Sequence, residues 1–122
     1  MSCDVRHKVL RMPGSTVGLN TPEELQEYEF AHEGELNWRP GFFAPALCSQ
    51  KKRTFIDYYL EVEEPWMGSW NIRYARELDE KEKIRYLPAF QKQFPGFTLA
   101  QMDVVHCCEF TWYNGTDAPD LY

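Results

Sequence analysis

Two helix-start signals, at Thr21 and Asp79, lie among segments whose hydrophobicity alternates every second residue; together they predict an α+β domain. At 122 residues the chain makes one domain, 1–122, and buries enough surface to fold without a disulfide or metal. With 8 Phe, 7 Tyr and 4 Trp it is too aromatic for general disorder.

The run Arg6 to Met12 reads as a first strand, stopped by Pro13-Gly14. Ser15 to Asn20 is a loop. The backbone amides of Gly14 to Gly18 could cradle an anion, but the segment lacks the Gly-Lys-Ser/Thr ending of a phosphate loop and serves as a turn into the helix. Thr21-Pro22-Glu23-Glu24 then carries a capping residue, a proline at the first helical position and a reciprocal glutamate at the third. Leu25, Tyr28 and His32 share one side of this helix, and Gly34 is its expected stop.

From Glu35 to Lys52, two prolines and Gly41 argue for an irregular insertion, packed down by Trp38, Phe42 and Phe43. Thr54 to Glu63 alternates as a half-covered strand, with Ile56, Tyr58, Leu60 and Val62 on the core side. Pro65 to Gly68 is a turn, and Trp70, Ile72 and Tyr74 continue into a second strand, giving a hairpin. Asp79 and Glu82 make a second capping box. Ile84, Leu87, Phe90 and Phe94 form the stripe of the second helix, with a kink or break expected at Pro88. Val104 to Tyr113 is the last strand, its core side carrying His106, Cys108, Phe110 and Trp112.

The resulting order is the split βαβ, ferredoxin-like βαββαβ arrangement. It has a four-stranded antiparallel sheet, two helices on one face and an aromatic-rich loop insertion after the first helix. The face away from the helices is expected to lie open to solvent, carrying Asp57, Tyr59, Glu61, Arg73, Glu109 and Tyr113. Tyrosines on such a face suit base stacking, but three carboxylates there repel phosphate, so direct nucleic-acid binding is disfavoured. An open face also gives those carboxylates no shelter in which to act as an acid–base pair, and pairing with Arg73 is the plainer role.

The net charge is −6, which disfavours nucleic acid and anionic membrane alike. Its distribution is uneven. Between Thr21 and Trp38 stand Glu23, Glu24, Glu27, Glu29, Glu33 and Glu35 with no Lys or Arg. Such a run solvates a helix or docks it on a basic partner. On the second helix Lys81, Arg85 and Lys92 are too few for a nucleic-acid footprint.

Cys3, Cys48, Cys107 and Cys108 lack zinc-ligand spacing, and reduced cytoplasmic thiols are the expectation. No His is spaced to make a catalytic pair, and no metal or other cofactor is implied. There is no apolar N-terminal leader or membrane-length run. The leading reading is a small acidic non-enzymatic interaction or regulatory protein that binds a protein partner, for instance as an inhibitor occupying a basic groove. Its contacts would be Glu23, Glu27, Glu29 and Glu33, with Trp66 and Met67 at the hairpin tip as anchors. Two other readings are a small-molecule-binding regulatory domain, as a homodimer packed through its sheet faces, and a small enzyme with a cleft under the 35–52 loop.

Overall fold

The computed structural model describes residues 5–48, 51–63 and 74–112. Its elements are β1 (Val5–Pro13), α1 (Pro22–Ala31), β2 (Phe43–Cys48), β3 (Arg53–Glu63), β4 (Tyr74–Glu77), α2 (Glu80–Gln93) and β5 (His106–Trp112). Short 3-10 turns occupy Gly14–Val17 and Ala100–Val104. The strands form one antiparallel sheet in the order β2-β3-β1-β5-β4, so there are five strands where four are expected.

The additional strand is β2, inside the stretch expected to be irregular. It lies at the sheet edge and pairs with β3 alone, where Pro45, which lacks an N–H, is tolerated. The expected hairpin between residues 54–63 and 70–74 falls largely on residues outside the described ones; of its second strand Tyr74 is described, and there it begins β4, which pairs with β5 at the far edge. Trp66, Met67 and Arg73 lie outside the described residues, as does Tyr113.

Both capping boxes form. Thr21 Oγ1 accepts from Glu24 N and Asp79 Oδ1 from Glu82 N, at 3.1 and 2.8 Å, and each glutamate returns the bond to the cap's own N–H. α2 runs unbroken past Pro88, which is exposed. At the end of β1, Gly14 is fixed by crowding: a Cβ there would collide with the Leu19 carbonyl oxygen and the Thr54 side chain.

The two helices share one face of the sheet. Leu25 of α1 and Phe90 of α2 belong to one core with Leu10, Met12, Ile56 and Phe43. Phe43 meets Phe90 and Phe94 edge-on, at 5.0 and 5.5 Å. Such perpendicular ring contacts are the favoured aromatic geometry.

The opposite face departs most from expectation. It is not an open surface. Val9, Arg11, Phe55, Asp57, Tyr59 and Cys108 are all buried there. On this face Arg11 donates from Nε and Nη2 to the two Asp57 carboxylate oxygens, each at 2.8 Å, with both side chains 0% exposed. The Arg11 guanidinium also sits 4.8 Å from the centre of the Phe55 ring. β5 is therefore buried on both sides, and its assignment reverses: Cys107 joins the helix-side core and Cys108 lies with Val9 and Tyr59.

A register shift redistributes the remaining expected face residues. Lys8 opposes Glu61 while Val9 opposes Tyr59, which leaves Leu60 as the extra residue of a bulge. Alternation is reset beyond it, so Glu61 falls on the side of Lys8 and Leu10, away from Tyr59. Glu109 also opposes Lys8, across the other strand pair.

Candidate functional site

α1 has few residues that fit a core. Leu25 is its one buried residue. The helix is held to the body through Leu25 and the Tyr28 ring, which stacks on Phe94 with centroids 5.7 Å apart. Helical geometry then sends the rest of the sequence outward, at 100° per residue. Phe30 lies on the side away from Leu25 and Tyr28, and it is 71% exposed. Around it, at three-, four- and seven-residue steps, come Gln26, Glu27, Glu33 and Glu23. Gln26, Glu29, Phe30 and Glu33 line a shallow depression of about 250 Å³.

Glu23, Glu27, Glu29 and Glu33 are exposed, and among the described residues none has a cationic partner. The other two acids of the run are engaged. Glu24 completes the cap, and Glu35 Oε2 lies 2.7 Å from His32 Nδ1. The aromatic segment that follows is less packed than expected. Phe43 is core, whereas Trp38 is 61% and Phe42 43% exposed. The sequence reading identified the acids but not Phe30, although the same periodicity that turned Leu25 inward turned Phe30 outward.

The sheet candidates separate into two groups. Asp57 and Tyr59 are buried together on the face away from the helices. Burial, with the Asp57 carboxylate adding to it, pushes the Tyr59 phenol well above its usual range, so it stays protonated. Glu61 is exposed and Glu109 buried at the other side of the sheet, flanking Lys8. No catalytic constellation joins these four. Glu82 is held by a fork from Arg76 at 2.7 and 2.8 Å, and this lowers its carboxyl to about 2.

Cys48, Cys107 and Cys108 are buried and in no disulfide, and desolvation pushes the Cys107 thiol up against the opposing pull of Arg76 and Lys8, which makes it a poor nucleophile. Among the described residues no three His, Cys, Asp or Glu side chains group as metal ligands, and no helix is long and apolar enough to cross a membrane.

Two further cavities are present. One, of about 360 Å³, lies between α1 and the segment leading from α2 to β5, and has Tyr28, His32 and Gln93 in its wall. The other, of about 530 Å³, lies beside the 35–52 segment and is lined by Glu35, Phe42, Phe43, Tyr58, Lys92 and others, without His or Cys. The His32–Glu35 pair was missed in the sequence; its signal was three-residue spacing at a helix C-terminus. No protein-family model, no curated protein and no solved structure matches the chain.

Proposed function

We propose that this protein is a small acidic docking module that binds a protein partner through the outer face of α1. The partner's matching surface is basic and has an apolar recess. The observation that carries this reading is Phe30, exposed at the centre of a face whose charges are all negative. Burying a phenylalanine is worth about 1.5–3 kcal/mol, and the fold leaves that energy unused. Aromatic anchors ringed by polar residues are how interfaces concentrate their affinity, while the surrounding charge sets the rate of encounter. Trp38 and Phe42 extend the apolar area along the chain. An inhibitor that occupies a basic groove is one form this activity takes.

The order β2-β3-β1-β5, with a helix in each long connection, supports reading the sheet as a ferredoxin-like split βαβ unit with β4 added at the edge. Cys48 and Cys107, free and buried, support a reducing compartment such as the cytoplasm.

The test is cross-linked affinity capture from the native extract, followed by association kinetics with the captured protein. The Glu23→Lys, Glu27→Lys, Glu29→Lys triple variant should slow association at least about tenfold and flatten its salt dependence. Phe30→Ala should instead raise the dissociation rate by about tenfold, the equivalent of about 1.4 kcal/mol. Cross-links that avoid residues 23–33, or unchanged rates in both variants, would remove the proposal.

A further inference from the structure

The inner side of α1 carries different chemistry from its outer side. The cavity of about 360 Å³ is walled by Phe94, Phe97, Pro95 and Val17 and has no Asp, Glu, Lys or Arg in its lining. A charged ligand would gain no counter-charge from that lining. The polar atoms that reach it are set by their own partners. Glu35 offers only acceptors, so His32 Nδ1 carries the proton of the bond between them, and Nε2 is the ring nitrogen left to meet a ligand. The Tyr28 oxygen accepts from Gln93 Nε2 at 2.7 Å, which leaves its hydroxyl proton free to donate. Burial raises the Tyr28 pKa and keeps that proton in place, although the Gln93 bond acts against the shift. The Gln93 carbonyl oxygen is a second acceptor.

These groups are held in place. Tyr28 stacks on His32 at 4.1 Å, with 28° between the rings. Gln101 ties the far wall together, donating to the Thr16 carbonyl at 3.3 Å while its own oxygen accepts from Thr98 N at 2.9 Å. The cavity volume falls at the lower end of the range for small-molecule sites, which suits a one- or two-ring ligand.

We propose that this cavity binds a small uncharged nitrogen heterocycle whose edge sets an N–H donor beside a ring or carbonyl acceptor. His32 Nε2 and the Gln93 carbonyl take the donors, the Tyr28 hydroxyl serves the acceptor, and the flat apolar walls hold the ring. The site is independent of the outer-face docking surface, and either can fail without the other.

The experiment is a two-dimensional ¹H–¹⁵N NMR titration of the full chain with uracil and adenine as neutral probes and orotate and benzoate as charged ones. A neutral probe should give saturable shifts confined to residues around Tyr28, His32 and 93–97, with Kd below about 1 mM. The charged probes should bind at least about tenfold more weakly. Tyr28→Phe keeps the stack and removes the donor; it and His32→Ala should each weaken binding about tenfold, and Phe30→Ala should leave it unchanged. Melting curves establish that each variant is folded. No saturable shift with either neutral probe up to about 5 mM, shifts centred elsewhere, or equal binding by Tyr28→Phe and His32→Ala would overturn the proposal.

Discussion

Replacing Asp57 with asparagine should cost about 3–5 kcal/mol of folding stability, because the change takes a carboxylate charge out of a fork closed on the buried Arg11 guanidinium. The magnitude follows from burial. Both side chains are 0% exposed, and two bonds of 2.8 Å close the fork, so water cannot take over the lost interaction. Were this sheet face solvated, the same pair would be worth about 0.2–1 kcal/mol. A chain of 122 residues has about 6–18 kcal/mol of total stability, so the two cases are well separated. Arg11→Met should cost at least as much, since it also gives up the contact with the Phe55 ring. The Arg11→Met, Asp57→Leu double variant removes both charges and should recover most of the loss, to within about 1–2 kcal/mol of the parent. Urea unfolding of the four proteins closes the cycle, with an unchanged slope required for the midpoints to be compared. Single variants that each lose less than about 1 kcal/mol, or a coupling below about 0.5 kcal/mol, would refute the argument that this face is dry.

The Arg76 fork holds the Glu82 carboxyl at about 2, below its unfolded value of 4.5, so its stabilisation is present above pH 4.5 and drains as pH falls towards 2. The pair is partly solvated, so the change should be about 1 kcal/mol between urea midpoints at about pH 7 and pH 3, and Glu82→Gln should abolish that share of the slope. Pro88 is exposed inside α2 and removes a helix hydrogen bond, so Pro88→Ala should raise stability by about 1–3 kcal/mol, read as a higher thermal midpoint.

Local chemistry was legible in the sequence, and long-range covering was not. Thr21 and Glu24, or Asp79 and Glu82, are three residues apart and signal a helix start regardless of what packs nearby. β3 was legible up to its bulge, although both of its sides are buried, because polar Asp57 on the far side interrupts the apolar run beside Ile56. β5 was legible as a strand but not in its facing, because Cys107 and Cys108 are both buried and two adjacent cysteines give no contrast to read. β2 was hidden by Pro45, which is harmless only at an edge, a position that sequence does not reveal. The Arg11–Asp57 pair joins residues 46 positions apart, and only the β1–β3 register brings them together. At the candidate site the acids were plain as a charge run, but their meaning depends on Phe30, whose exposure follows from how little of α1 is core.

That dependence decides between solvation and docking. Glutamates on a helix need no partner, since they keep a surface soluble and suit the helix. Single exposed apolar residues need none either. The combination is harder to dismiss. Among the described residues, the exposed large apolar side chains that are aromatic are Phe30, Trp38 and Phe42, all within or directly after the acidic run, while Ile84, Leu99 and Val104 elsewhere are aliphatic. Phenylalanine is a weaker helix former than alanine, leucine or glutamate, so its place on the outer side of α1 serves neither the helix nor the core. A face shaped only for water would carry another polar residue at that position. An aromatic side chain set among negative charges is instead suited to a surface that offers both positive charge and an apolar recess.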